Sequence, residues 1–171
     1  MRDETRARAV LPVNLLVTGR PCMVVGGGTI AARKVGHLLD AEASVTVVSP
    51  QLSDVLDELS KHGRVQHLAR AFYDGDVEGQ WLVFAVTDDA DVNRRVLTCC
   101  RERGILCSAA DANWPAGDAI MPAICRDSGI TVTVSTGGQS CRLARTIKDR
   151  LRDIIKAIVA EESAENDDNG K

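Results

Sequence analysis

CMVVGGGTIAA, residues 22–32, joins a short apolar run to a helical pattern through three consecutive glycines. Gly26, Gly28 and Ala31 fit the spacing G-x-G-x-x-G/A. In that motif the first glycine makes a tight turn, the second lets the backbone approach a pyrophosphate, and the third small residue lets the helix pack on the strand. The phosphates bind free N–H groups at the positive end of the helix. The stretch therefore predicts a dinucleotide site, and the alternative is a glycine-rich turn without a ligand.

The composition is that of an ordinary globular protein. The 171 residues are 44% apolar and 26% charged, enough for one domain or one domain with a small appendage. No apolar run approaches the roughly 20 residues of a membrane span, and the charged N-terminus lacks the apolar segment of a secretory signal. These features predict a cytoplasmic protein with no membrane partner.

Cysteines and histidines lack the spacing of a metal site. The six cysteines form no C-x-x-C pair, so we expect reduced thiols in or near the core, and the three histidines are scattered. We therefore expect no metal bound by the protein.

The charge is concentrated at the C-terminal end. The net charge is −3, and residues 161–171 hold five acids and one lysine, a net of −4. This segment is predicted to be a frayed, solvated tail. The near-neutral remainder offers no basic field, so we predict no nucleic-acid partner.

Apolar runs alternate with helical patterns as far as Asp111. This alternation predicts a Rossmann-like open parallel sheet of the α/β class, with right-handed crossovers. Leu11–Val17 adds either an edge strand or an extended arm. The predicted strands cover 22–25, 44–49, 64–68, 81–87 and 105–110, and the predicted helices cover 29–39, 52–59 and 91–103.

The pattern changes after Asp111. Two runs, 120–125 and 130–135, predict an antiparallel hairpin turning at 126–129, and a long amphipathic helix over 140–160 follows. A lone hairpin and one helix cannot bury their apolar faces well, so we predict a homodimer. The predicted organisation is a nucleotide-binding domain over 1–112, a small α+β dimerisation and substrate region over 113–160, and an acidic disordered tail over 161–171. The apolar helix face comprises Leu143, Ile147, Leu151, Ile154, Ile155 and Ile158.

Ligands of open parallel sheets bind at the carboxyl ends of the strands. An acid often follows the glycines by about 20 residues and holds the ribose hydroxyls. Ser49 stands there in this chain, so we expect Ser49 or Gln51 to bond to the ribose. For residues 87–89 the alternative is a helix-capping turn. The cofactor-binding candidates are Gly26, Gly28, Thr29, Ile30, Ser49, Pro50, Gln51, Thr87 and Asp88.

Asp111 ends the last predicted strand among alanines. A partly desolvated carboxylate there suits proton transfer, and the alternative is a loop carboxylate that caps a backbone group. No Ser–His–Asp or Cys–His arrangement is evident, and a cysteine nucleophile has no fixed base partner in the sequence. Asp111 is therefore the candidate catalytic residue.

The stretch STGGQS, residues 135–140, combines hydroxyls with free N–H groups at a helix N-terminus. Such a loop binds carboxylate or phosphate, and the alternative is a simple capping loop beside a solvated basic face. The substrate-binding candidates are Arg126, Ser135, Thr136, Gly137, Gly138, Ser140 and Arg142.

Several motifs in this order resemble the precorrin-2 dehydrogenases, the sirohydrochlorin-forming domain of siroheme synthase. The resemblance covers residues 11–152. It is carried by VVGGGTIAARK (24–34), TVVSP (46–50), FAVTDDADVN (84–93), the strand ending at Asp111, IMPAI (120–124) and VSTGGQSCRLAR (134–145).

The resemblance implies an NAD-dependent oxidation of precorrin-2, a tetrapyrrole rich in carboxylates, to sirohydrochlorin. It implies that Asp111 is the catalytic acid/base. It also implies that the glycine turn and residues 49–51 bind the nucleotide. It also implies a homodimer whose hairpin regions interlock.

Some members of that family also take Fe²⁺ as a substrate and insert it to make siroheme. Three departures bear on that activity: a shorter helical C-terminal region, Cys141 where proline is usual, and Ser108 where asparagine is common. The alternatives are therefore a bifunctional dehydrogenase and ferrochelatase, and a nucleotide-sensing module without catalysis.

Overall fold

The computed structural model describes residues 9–111 and 114–168, with side chains described as far as residue 161. Strands and helices alternate along the chain before the hairpin and the last helix, as the sequence predicts. The elements are β1 (Pro21–Val25), α1 (Thr29–Asp40), β2 (Ser44–Val48), α2 (Asp54–Lys61), β3 (Gln66–Leu68), β4 (Leu82–Ala85), α3 (Ala90–Glu102), β5 (Leu106–Ala109), β6 (Ala123–Asp127), β7 (Ile130–Val134) and α4 (Cys141–Asp168), with short 3₁₀ turns at Asp74–Val77 and Trp114–Ala116.

Strands β1 to β5 form one parallel sheet in the order β3-β2-β1-β4-β5. The central strand β1 pairs with β2 on one side and β4 on the other. The order reverses between β1 and β4, as in doubly wound sheets whose ligands bind at that reversal. The predicted α/β fold class is confirmed.

The central strands are buried along their length, which explains their continuous apolar composition. Every residue of Cys22–Val25 and of Leu82–Ala85 is buried. Helix α1 packs on the sheet through Ala31, Val35 and Leu38. Helix α3 contributes the buried residues Val96, Leu97 and Cys100.

The lead-in segment forms no strand. Residues 9–16 are exposed, with Leu11 85% and Leu16 84% accessible, and burial begins at Val17. Of the two predictions for Leu11–Val17, the edge strand is therefore wrong.

The predicted hairpin is present with a tighter turn. Asp127 pairs with Ile130, so only Ser128 and Gly129 lie between the strands. Their φ angles are 46° and 78°. Two successive positive φ angles define the type I′ turn that suits the strand twist. The four-residue turn predicted at 126–129 is shorter because β6 continues through Arg126 to Asp127.

Helix α4 ends later than predicted. It extends through residues 161–168, where a frayed tail was expected, and residues 169–171 lie outside the described chain. The segment AEESAE is rich in alanine and glutamate, which have high helix propensity, and this offsets the like charges.

The chain divides into two compact units. One is Val13–Ile120, and the other contains the described part of Met121–Lys171 with residues 9–12. The segment that follows Asp111 remains attached to the first unit. Asp118 N donates to Cys107 O at 2.8 Å, and Cys107 N donates to Asp118 Oδ2 at 3.1 Å. The first unit therefore extends beyond the boundary predicted after residue 112.

An ion pair closes the segment between β3 and β4. The Arg70 guanidinium donates to both Asp76 oxygens at 2.8 and 2.6 Å, and Tyr73 N donates to Asp76 Oδ2 at 2.8 Å. The Arg70 partner, followed by the Tyr73 N–H, holds the pKa of the Asp76 carboxyl below its usual range, against the opposing effect of burial.

We expect Asp76→Asn to lower the Tm by a few degrees at pH 6, because the paired carboxylate is lost. A lowered pKa in the folded state stabilises the protein above the pKa of the unfolded chain, about 4. That stabilisation is lost as the pH falls through the lower folded value. The difference in Tm between wild type and variant should therefore shrink below about pH 4 in thermal melts. A difference that stays constant from pH 6 to pH 3 would contradict this origin.

Candidate functional site

The carboxyl ends of β1, β4 and β5 lie side by side. Val25 is in register with Ala85, and Ala85 with Ala109. The ladder continues just past these residues, because Val86 N donates to Val25 O at 2.9 Å and Ala110 N to Ala85 O at 3.2 Å. The segments that follow these strands, which contain Gly26, Thr87 and Asp111, therefore meet at one edge of the sheet.

Gly26 makes the turn out of β1. Its φ of 129° lies in a region that favours glycine, and a Cβ there would stand 2.7 Å from Val86 O. Both the conformation and the space therefore require glycine, as the fingerprint predicts for its first position.

Gly27, which the fingerprint leaves unspecified, has the closest packing. A Cβ at this position would stand 1.9 Å from Gln51 O and 2.6 Å from Ser49 Oγ. Gly27 O also accepts a hydrogen bond from Ser53 N at 2.7 Å. The glycine turn and the loop after β2 therefore interlock.

Gly28 faces open space. No atom lies within 4 Å of the Cβ that this residue lacks. It is the N-cap of α1 and supplies no side-chain cap, while Thr29 and Ile30 are exposed and Ala31 is buried. The first N–H groups of a helix have no intrahelical partner. An open, uncapped helix start fits the phosphates of a dinucleotide, which Gly28, Thr29 and Ile30 would hold.

The loop after β2 is braced by its own hydrogen bonds. Ser49 is 8% accessible, and its hydroxyl donates to Gln51 O at 2.7 Å. The His67 Nε2 lies 2.9 Å from Ser49 O. Pro50 and Gln51 are exposed. Of the two ribose candidates, Gln51 is thus the one whose side chain faces solvent, whereas Ser49 shapes the loop.

Asn93, which we did not select from the sequence, joins Thr87 to Asp111. Its Oδ1 accepts from Thr87 N at 3.0 Å and Thr87 Oγ1 at 2.8 Å. Its Nδ2 donates to Thr87 O at 2.9 Å and to Asp111 Oδ2 at 2.7 Å. The sequence did contain a signal for this residue. Asn93 is polar, yet it precedes Val96, Leu97 and Cys100 by three, four and seven residues, which places it on the inward face of the same helix. The structure thus brings Thr87 and Asp111 together.

The capping alternative for residues 87–89 applies to Asp89. Its carboxylate accepts from Asp91 N at 2.8 Å and Val92 N at 3.2 Å at the start of α3. Asp88 is exposed. Thr87 and Asp88 remain the cofactor candidates of this segment.

The loop 135–140 belongs to the second unit and is held largely by its own hydroxyls. Thr136 Oγ1 accepts from Ser140 N at 3.0 Å, Ser135 Oγ accepts from Gly137 N at 3.3 Å, and Ser140 Oγ accepts from Leu143 N at 3.1 Å. Gly137 and Gly138 have φ angles of 60° and 85°. These bonds are those of the capping alternative. Arg126 and Arg142, on β6 and α4, are exposed.

Two of the buried thiols, Cys22 and Cys99, are poor nucleophiles. Burial raises the pKa of Cys22 to about 11. Burial, followed by the Asp74 carboxylate, raises the pKa of Cys99 to about 11. A thiol must lose its proton to attack, so these cysteines stay unreactive at neutral pH. Within the described side chains, no group of three His, Cys, Asp or Glu residues is arranged to hold a metal ion.

A surface depression of about 340 Å³ lies elsewhere, on α3 and the preceding 3₁₀ turn. It contains none of the candidate site residues, so the candidate site remains the sheet edge. The depression is lined by Asp74, Asp91, Arg94, Arg95, Thr98, Cys99 and Glu102. No helix in the described residues is both long enough and apolar enough to cross a bilayer.

The glycine turn, the uncapped helix start and the strand order define a dinucleotide-binding domain, and comparison with known proteins agrees. The family described as putative NAD(P)-binding matches residues 13–123, and the chain belongs to this family. This confirms the expected NAD-type cofactor. A second family, described as sirohaem biosynthesis protein central, matches residues 127–154.

Siroheme synthases and a precorrin-2 dehydrogenase are among the proteins similar to this chain. A siroheme synthase of Thioalkalivibrio sulfidiphilus is 44% identical over 146 residues, 85% of this chain and 30% of that protein. A siroheme synthase of Methylobacillus flagellatus is 44% identical over 147 residues, which are 86% of this chain and 31% of that protein. The solved structure of SirC, precorrin-2 dehydrogenase, matches with a TM-score of 0.72 and 28% identity over 84% of this chain and 70% of that chain. The expected resemblance is confirmed. The chain spans about 30% of the length of these synthases.

We expect Gly27→Ala and Gly28→Ala to separate folding from nucleotide binding. A methyl group at Gly27 collides with the Gln51 carbonyl, so this variant should unfold at lower temperature and lose NAD⁺ binding. A methyl group at Gly28 meets no protein atom, and it would fill the space in which we expect the phosphates. Gly28→Ala should keep the wild-type Tm and weaken NAD⁺ binding roughly tenfold or more in calorimetric titration. Wild-type affinity in a folded Gly28→Ala protein would place the phosphates elsewhere.

Proposed function

We propose that this protein catalyses the NAD⁺-dependent oxidation of precorrin-2 to sirohydrochlorin. The observation that carries the proposal is the position of Asp111 at the edge of the sheet where the glycine turn lies, hydrogen-bonded through Asn93 to Thr87. A carboxylate beside a dinucleotide site provides a proton acceptor next to a hydride acceptor. The precorrin-2 dehydrogenase named above has the same fold, which supports this substrate.

The reaction removes one hydride and one proton from the substrate. NAD⁺, when bound, accepts the hydride. Asp111 accepts the proton, so precorrin-2 and NAD⁺ give sirohydrochlorin, NADH and H⁺. The phosphates are held at the start of α1 by Gly28, Thr29 and Ile30. The nucleotide is bordered by Pro50, Gln51, Thr87 and Asp88. The two loops are shaped by Gly26 and Ser49.

The second unit supplies groups that suit a carboxylate-rich substrate. Arg126 and Arg142 are exposed, and the guanidinium group binds carboxylates through paired N–H donors. Ser135, Thr136, Gly137, Gly138 and Ser140 form the loop at the start of α4. We propose that this loop and the two arginines bind the carboxylate side chains of the tetrapyrrole.

We also propose that the protein is a homodimer. Helix α4 packs on the hairpin through the buried residues Ala144 and Ile155. Four large apolar residues remain exposed along another face of the helix, which we call the apolar stripe: Leu143 (51% accessible), Ile147 (36%), Ile154 (52%) and Ile158 (51%). Contiguous exposed apolar surface of this kind is typical of protein interfaces.

The Asp111 assignment has a direct kinetic test. We expect Asp111→Asn to lower kcat roughly 10²- to 10⁴-fold, because the amide cannot accept the proton, while NAD⁺ affinity stays unchanged. The assay is anaerobic absorbance of precorrin-2 with NAD⁺. Asp91→Asn is the matched control, since Asp91 is an exposed acid paired with Arg94. Full activity of Asp111→Asn would place the base elsewhere.

The wild-type protein in the same assay tests the proposed function itself. A sirohydrochlorin spectrum that appears faster than the spontaneous reaction, and only with NAD⁺, supports the dehydrogenase. Absence of any NAD⁺-dependent change would favour the nucleotide-sensing alternative. A further spectral change that needs both Fe²⁺ and the protein would show the bifunctional enzyme.

The dimer is tested by light scattering at micromolar concentration. We expect the wild type to have the mass of two chains and Ile154→Glu to have the mass of one, because a buried charge disrupts an apolar interface. Ala160→Glu adds the same charge on α4 outside the apolar stripe and should remain dimeric. A wild-type mass of one chain would refute the dimer.

A further inference from the structure

Among the described polar and charged residues, Asn93 is the least accessible, with 1% of its surface exposed. An amide carries two N–H donors and one oxygen with two acceptor sites, and Asn93 uses all four. Buried polar groups are retained where their hydrogen bonds are complete, because an unsatisfied one destabilises the fold. The network is therefore complete at its centre.

The orientation of the amide is fixed by its partners. Turning it by 180° would place its NH₂ group against the Thr87 N–H and its oxygen against the Thr87 carbonyl and the Asp111 carboxylate. Each of those contacts would be unfavourable. Only one orientation satisfies Thr87 and Asp111 together, and in it an N–H group points at Asp111 Oδ2 at 2.7 Å.

The backbone that carries this amide is held in place by helix α3. Asn93 lies in the first turn of α3, where Asn93 N donates to Asp89 O at 3.0 Å and Asp89 caps the helix. Val96 and Leu97, one turn further, are buried in the core. The position of the Nδ2 atom is thus set by the packing of α3 on the sheet.

We propose that Asn93 is a positioning residue that fixes the proton acceptor relative to the nucleotide loop. One amide holds the carboxylate of Asp111 and the backbone of Thr87, so two groups that follow different strands keep one arrangement. Hydride and proton leave the same substrate molecule, so their acceptors must be fixed relative to each other, and a displacement of about 1 Å lowers rates by about 100-fold. This inference rests on the proposed function.

Asn93→Asp tests the link with little change in volume. The remaining Oδ1 still accepts from Thr87, but the second oxygen faces the Asp111 carboxylate and the Thr87 carbonyl oxygen and repels both. We expect kcat for precorrin-2 to fall roughly 30- to 100-fold, while KM and the Kd for NAD⁺ change less than about threefold. Thr98→Val, on the exposed face of the same helix, is the control and should keep wild-type kcat.

A double-mutant cycle separates positioning from a general structural effect. If Asn93 acts through Asp111, Asn93→Asp should change the residual kcat by less than about twofold once Asp111 is already Asn. An equal loss in both backgrounds would overturn the proposal, as would wild-type kcat in Asn93→Asp alone. If Asn93→Asp does not fold, Asn93→Ala carries the same comparison without adding a charge.

The exchanged pair, Asn93→Asp with Asp111→Asn, gives a readout independent of turnover. The amide now donates from position 111, so the Tm should return toward the wild-type value while activity stays lost. Failure to recover the Tm would show that the two side chains are not paired.

The wild-type control keeps the two proposals apart. A wild type that oxidises precorrin-2 beside a fully active Asn93→Asp refutes only the role of Asn93. A wild type without NAD⁺-dependent oxidation refutes the proposed function and, with it, this role.

Discussion

The backbone contact between Gly27 and Gln51 organises the nucleotide edge of the sheet. Only a residue without a side chain fits there, because a Cβ would lie 1.9 Å from the Gln51 carbonyl oxygen. The contact sets the loop after β2 against the turn after β1, and the bond from Ser53 N to Gly27 O places the start of α2 beside it. The N-terminus of α1 consequently faces open space at the end of the central strand. The open helix start to which we assign the phosphates is thus a result of backbone packing.

The sequence was sufficient for the sheet because its strands are buried on both faces. Continuous apolar runs such as Leu82–Ala85 are typical of central strands that are buried on both faces, and the glycine spacing marks the first crossover. The Asn93 network could not be predicted in the same way. It needs residues 87, 93 and 111 to be brought together by two strands and a helix, and no local spacing encodes that. Helix ends were also harder to place, since helix propensity and like-charge repulsion oppose each other in residues 161–168.

The two units differ in how their candidate residues are held. In Val13–Ile120 the glycine turn and Asp111 lie at one edge of the sheet, and they are held by backbone contacts and one buried amide. In the unit that begins at Met121, the hairpin and α4 present exposed arginines and the apolar stripe. Exposed residues of the hairpin can change without loss of packing, whereas the close-packed glycine turn and the buried amide cannot.

The distribution of cysteines has a practical consequence. All six lie in the described part of the chain, five are buried, and Cys141 is exposed at the first turn of α4. Burial conceals the other sulfur atoms from oxidants and alkylating reagents. The wild-type chain therefore offers one natural attachment point for a fluorophore or spin label. That point is the first residue of α4, where such a reporter would follow the environment of the helix N-terminus without an introduced cysteine.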